Sequence, residues 1–117
     1  ILHEAAYEGK IAGHNAGSNS LTAFKRYVPF HITFTDPNIC QVGKNLTQLS
    51  EDDIVIGELA MGPHGRALVM ANNKGLVRLY ADKDSGKLLG ACMVAPRAEH
   101  LAHLLAWSIE QGLHLQE

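Results

Sequence analysis

Runs of apolar residues at two different periods divide the chain before any other property is considered. In "ILHEAAYEGKIAGHNA", Leu2, Ala5, Gly9, Ala12 and Ala16 recur at spacings of three and four, which places them along one face of a helix. Almost every member of that face is small. A stripe of Ala and Gly buries little by itself and lets another backbone approach closely. The helix also starts without a capping residue or lead-in, so the chain is read as part of a longer protein whose remainder this helix lies against.

"GSNSLTAFKR" has the Gly, Ser and Asn content of a connector, and a boundary is expected near residues 17–26. "YVPFHITFT" alternates like a strand, and Asp36-Pro37-Asn38 interrupts it, because proline fixes its backbone and lacks a donor. "LTQLSEDD" predicts a short amphipathic turn or helix. "DIVIGELAM" reads as a second strand, "GPHG" breaks it, and "RALVMA" is expected to resume extended structure.

The strongest local pattern is "GLVRLYADKDSGKLLGACMVAP", two apolar runs around Asp82-Lys83-Asp84-Ser85-Gly86-Lys87. It predicts an antiparallel hairpin with strands at 75–81 and 88–95. The Asp82, Asp84 and Gly86 spacing also resembles the start of a calcium loop, but the acidic residue at the twelfth position and the flanking helices are missing.

Pro96 suits a first helical turn and Gly112 a helix end, so "RAEHLAHLLAWSIEQG" predicts the last helix. Ala98, Leu101, Ala102, Leu105 and Ile109 form its core stripe. Trp107 points the other way, among His100, His103, Glu110 and Gln111. Either a loop half-covers it or it meets a partner or a missing segment, since Trp is enriched among interface anchors. His100 and His103 share a face and with Glu99 could hold a metal if another ligand joined them, although seven histidines need no common purpose. Together these elements describe an α+β fold, an antiparallel sheet of four to five strands with helices on one face.

Composition narrows the function classes. The 117 residues fit one modest domain, 46% are hydrophobic and 19% charged, and a net charge of -2 offers no basic excess for a phosphate backbone. The apolar runs fall far short of the roughly 18 residues that span a bilayer, and no charged-then-apolar leader is present, so a soluble, cytoplasmic setting is expected. Cys40 and Cys92 lie in strand-like segments without a close pairing motif. Both are read as buried free thiols, with a redox or disulfide role as the alternative.

Three segments in order resemble one family, the flavin-dependent pyridine nucleotide-disulfide oxidoreductases of the dihydrolipoamide dehydrogenase type. "LHEAAYEGKIAGHNA" is similar to the helix that ends their flavin domain, and "VPFHITFTDPNICQVG" to the first strand of their dimerisation domain. "GLVRLYADKDSGKLLGACMVAPRAEHLAHLLAWSIEQGL" is similar to that domain's hairpin and following helix. The chain departs from the family in having Pro37-Asn38 where Pro-Glu is usual.

The resemblance implies that residues 1–26 are helix and connector from the flavin domain and that 27–117 are the dimerisation domain of a twofold homodimer using FAD and NAD(P). It implies that backbone groups of Ile1, Leu2 and His3 lie at the edge of FAD, and that the carbonyl of Ile32 lies on the nicotinamide side. No catalytic residue is implied here. The family's redox cysteine pair matches neither Cys40 nor Cys92, and its acid/base pair, a His followed by Pro and supported by a nearby Glu, is not His114 with Glu117, since no Pro follows His114 and the spacing between the two is too short. The isolated chain is therefore expected to bind no flavin and to be catalytically silent. The alternative is a self-standing interaction or metal-binding module using the Trp107 face or His100/His103.

Overall fold

The computed structural model describes residues 2–117, with the side chains of Leu2 and His3 left out of the description. Its elements are α1 (Leu2–Ala16), β1 (Phe30–Thr33), β2 (Asn38–Gly43), β3 (Ile54–Ala60), α2 (Gly65–Val69), β4 (Leu76–Asp82), β5 (Leu88–Ala95) and α3 (Ala98–Gln111). The five strands form one antiparallel sheet in the order β1-β2-β5-β4-β3. The fold is α+β, as the patterns predicted.

Register explains which side chains make the core. Phe30 pairs with Val42, Ile32 with Cys40, Cys40 with Met93, Val42 with Ala91, and Val77 with Met93. Because side chains alternate across a strand, these residues share one face. Helix α3 covers that face through Ala98 and Ala102, both fully buried, with Leu105, Ala106 and Ile109 packed around them. The two alanines let the helix axis come close to the sheet, so Met93, Val42 and Cys40 become the largest fully buried side chains.

Two glycines permit close backbone approaches that this topology needs. A side chain on Gly90 would place its first carbon 2.0 Å from the Lys44 carbonyl oxygen, where the chain leaves β2 and heads across the sheet toward β3. A side chain on Gly75, just before β4 and with φ at +141°, would place its first carbon equally close to the carbonyl oxygen of Val94. The crossing itself is two 3₁₀ turns, Leu46–Gln48 and Glu51–Asp53, the first held by a reciprocal Asn45–Gln48 cap.

The hairpin of β4 and β5 runs one residue later on its first strand than the pattern suggested. Its turn is closed by the Asp82 carboxylate, which accepts from the Ser85 amide at 2.8 Å and from the Ser85 hydroxyl, while Gly86 takes the left-handed conformation. Those bonds hold the Asp82 carboxyl below its ordinary range, with the hydroxyl contributing most. Asp82 thus serves the turn.

The structure corrects four readings. "RALVMA" is not extended: Gly65–Val69 is a short helix that buries Ala67, and Arg, Ala and Leu are good helix formers while only Val69 is β-branched. The single strand read before Asp36 is a hairpin arm, since Asn38–Gly43 returns as β2 after a cis Asp36–Pro37 bond. Leu101 is 38% exposed and stands beside the core stripe, because the covered face of the helix centres on Ala98, Ala102 and Ile109 and extends to Ala106 on the flank opposite Leu101. Cys92 is only half-buried: it faces away from α3 in register with Gln41, whereas Cys40 on the covered face is fully buried. Burial pushes the Cys40 thiol upward, chiefly by desolvation. Adjacent strands aim the two thiols at opposite faces, so no bridge joins them.

Candidate functional site

Helix α3 presents two different sides. Toward the sheet it is alanine and aliphatic; away from it stand Leu101, Leu104 and Trp107, at 38%, 58% and 71% exposure. The spacing of three residues keeps them on one flank. Of the two readings of Trp107, the half-covered one is not what the structure has.

Trp107 borders a cavity of about 360 Å³ that Tyr27, Val28, His103, Ala106 and Glu110 also line. A second cleft of about 370 Å³ adjoins it across Tyr27, Val28 and Ala106 and extends between α1 and β1 past Tyr7 and Phe30. Between them the two depressions carry aromatic side chains from the α3 surface to the first helix.

The histidines of α3 take separate partners. The His103 ring lies against Phe30 with centroids 4.5 Å apart, and His100 points to Glu99 at 3.6 Å from the exposed side. No cluster of three or more metal-ligating side chains occurs among the described residues. Glu99 itself joins α3 to β2, accepting a bond from the Asn38 side chain, and its carboxyl is held low first by its own backbone N–H and then by Asn38.

The first helix is attached differently. Its small-residue stripe, Ala5, Gly9, Ala12 and Ala16, is exposed along its described length, and a side-chain carbon placed on Gly9 would meet nothing within 4 Å. Contact comes from the other side, where residues 17–29 run back along the helix as a strap. The Asn15 side chain donates to the Thr22 carbonyl and accepts from the Thr22 amide at 2.9 Å, His14 meets Phe24 edge-on, and the Tyr7 hydroxyl donates to the Lys25 carbonyl at 2.9 Å. Tyr7 also packs on Tyr27, Arg26 pairs with Glu8, and His31 of β1 reaches Glu4.

Of the residues singled out for a cofactor, Ile1 and the side chains of Leu2 and His3 lie outside the described residues. The backbone of Leu2 opens α1. Ile32 sits in β1, an edge strand that pairs only with β2. The Gly43 amide donates to the Pro29 carbonyl at 2.8 Å, so by antiparallel alternation His31 and Thr33 turn their peptide groups toward β2 and Ile32 turns its own outward. The Ile32 carbonyl therefore faces the open edge of the sheet.

At the other end, the tail folds onto the β4–β5 turn. The Leu88 amide donates to Leu113, His114 Nδ1 lies 2.8 Å from the Ser85 carbonyl, and the His114 amide donates to the Glu117 carboxylate at 2.9 Å. His114 and Glu117 are thus occupied in holding the tail. Sequence reasoning missed the roles of Glu110, Lys25 and Tyr7, which are joined only by folding.

Comparison with known proteins places the chain in a family. A family model described as the pyridine nucleotide-disulphide oxidoreductase dimerisation domain matches residues 30–117. The whole chain aligns with dihydrolipoyl dehydrogenases of Haloferax volcanii at 34% identity and Halobacterium salinarum at 35%, in each case over 25% of the relative. It therefore spans about a quarter of the length of these relatives. Among solved structures, LpdA of Mycobacterium tuberculosis superposes over 100% of this chain and 26% of its own at a TM-score of 0.80 and 22% identity. The Cu(II) complex of the HOCl-induced flavoprotein disulfide reductase RclA of Escherichia coli covers 97% of this chain and 26% of its own at 0.81 and 19%. At those identities the superpositions carry the fold, and it is the family match across 88 of the 117 residues, a five-stranded sheet with its covering helix, that decides membership: the chain belongs to the dimerisation domain family of the pyridine nucleotide-disulphide oxidoreductases.

Proposed function

We propose that this chain is the subunit-pairing part of a longer FAD- and NAD(P)-dependent disulfide oxidoreductase of the dihydrolipoamide dehydrogenase type, cytoplasmic and homodimeric, with residues 1–26 belonging to its flavin domain and 27–117 to its dimerisation domain. The observation that carries this reading is the family match over 30–117 combined with an α3 flank that leaves Leu101, Leu104 and Trp107 uncovered. Exposed apolar patches of this kind mark contact surfaces.

The residues present fit the edge of a flavin site rather than a whole one. A helix start offers unpaired N–H groups and positive potential, which suits the electron-rich oxygens of a flavin. Ile1, Leu2 and His3 are proposed to contribute backbone there, and the outward Ile32 carbonyl is proposed to serve the nicotinamide side. FAD, when bound, carries electrons between the nicotinamide and the disulfide. The residues of this chain orient and shield; none is proposed to transfer a proton.

Two measurements test the proposal. The isolated chain should self-associate in light scattering, and Trp107→Glu should weaken association while far-UV circular dichroism stays unchanged, because Trp107 makes no part of the core. A strictly monomeric chain, or a variant that unfolds, contradicts the pairing surface. The isolated chain should also purify colourless and fail to turn over dihydrolipoamide with NAD. Stoichiometric flavin absorbance would mean that the site is more complete than an edge.

A further inference from the structure

Among the described residues, the strap and α1 place none in the buried core, yet they take a definite position on it, and one carboxylate joins the strap to α3. Glu110 lies on the last turn of α3, its side chain 19% exposed. One oxygen accepts from the Lys25 ammonium, and the other accepts from the Val28 backbone amide at 3.2 Å. Val28 packs against the core, and its part-buried amide takes the Glu110 carboxylate as its acceptor.

Lys25 belongs to both sides of the joint. Its ammonium reaches Glu110 on α3 while its backbone carbonyl accepts from the Tyr7 hydroxyl on α1. A path of hydrogen bonds thus runs from α3 through Glu110, Lys25 and Tyr7 to the first helix. The two ionisable groups respond as partners: the Lys25 bond holds the Glu110 carboxyl low and the Glu110 bond raises the Lys25 ammonium. A further tie from the sheet to α1 among the described residues is the His31 to Glu4 contact at 3.4 Å, which has its full attraction only when the imidazole is protonated.

We infer that Glu110 is a positioning residue that latches the 17–29 strap, and through Lys25 and Tyr7 the helix α1, to the dimerisation domain. If α1 borders the flavin, the latch ties a helix on the subunit-pairing side to the cofactor edge. That second part rests on the reading proposed above; the latch itself does not.

The test uses the full-length flavoprotein carrying Glu110→Ala, Glu110→Gln or, as a control, Glu58→Gln, which removes a different exposed ion pair, with Arg78, on β3 and β4. Trypsin cleavage after Lys25 and Arg26 reports strap opening, because cleavage follows the population of the opened state. Glu110→Ala should raise that rate about tenfold, the order expected for losing a charge-assisted bond. Glu110→Gln keeps an acceptor for the Val28 amide and should raise it less, and Glu58→Gln should leave it unchanged. Salt should raise cleavage of the wild type but not of Glu110→Gln, since Lys25 is 77% exposed and its half of the latch is screened.

Flavin absorption and midpoint potential are measured on the same proteins. Faster cleavage with a shifted flavin spectrum or potential supports the latch and its tie to the cofactor. Faster cleavage with unchanged flavin supports the latch and overturns the placement of α1 beside the flavin. Unchanged cleavage in both Glu110 variants overturns the latch.

Discussion

The two ends of this chain are held to the fold by different physics. In the sheet with α3, Cys40, Val42, Ala91, Met93 and Ala102 are at most 1% exposed, and cohesion comes from apolar area removed from water. In α1 with its strap, no described residue is buried; position is set by separate contacts at Tyr7, Glu8, His14 and Asn15 and by the Glu110 latch. Burial is non-directional and tolerates small errors, whereas each polar contact fails singly. The first region should therefore melt as a unit and the second should open without it.

The largest effect that could break this contrast comes from the core. Met93→Ala leaves a cavity beneath α3 and should cost about 2 to 5 kcal/mol in denaturant unfolding. Ile11→Ala, on half-exposed α1, should cost less than about 1.5 kcal/mol. Equal losses would mean that α1 shares the core's cooperativity.

The cysteines give the next test. Cys92 should react with a thiol reagent in the native state, while Cys40, fully buried with its thiol pushed up by desolvation, should react only on unfolding. Simultaneous native labelling would show that the sheet opens far more readily than its packing suggests.

A smaller effect separates the regions by local opening. Tyr7→Phe removes the bond to the Lys25 carbonyl, worth about 0.5 to 1.5 kcal/mol, and should raise hydrogen exchange in α1 and the strap while leaving β5 protected. Spread of the exchange into β5 would join what the contrast separates.

Acid should act on both regions weakly. The carboxyls of Asp82, Glu99 and Glu110 are all held below their ordinary values in the folded chain. A depressed folded value means that the folded state binds fewer protons than the unfolded one. The contribution is thus complete above the unfolded values of 3.8 and 4.5 and is lost as pH falls through the lower folded ones. Tm should fall on acidification in that range, and Glu110→Gln should flatten only part of the slope, leaving the shares of Asp82 and Glu99. A slope unchanged by Glu110→Gln would remove the carboxylate from the joint.

The sequence by itself determined the elements whose signal is local. The hairpin at 75–95 followed from two apolar runs around Asp82-Lys83-Asp84-Ser85-Gly86, the last helix from its period and its Gly112 stop, and the first helix from spacing alone; φ at Gly86 and Gly112 is positive as those turns require. These choices depend on backbone sterics and neighbours within a few residues. The family resemblance was legible for the same reason, as three such segments in a fixed order.

Only the tertiary structure decided the rest. Whether "RALVMA" coils or extends depends on what Ala67 meets, and whether Leu101 or Ala106 packs on the core depends on how α3 is turned about its own axis when it lies on the sheet. The outward turn of the Ile32 peptide follows from register with a strand six residues further along. Glu110 lies 85 residues from Lys25, and no period or motif announces that pairing. A contact between groups so far apart in sequence exists only once the sheet has placed α3 beside the strap, because folding alone brings the two carriers within hydrogen-bond reach.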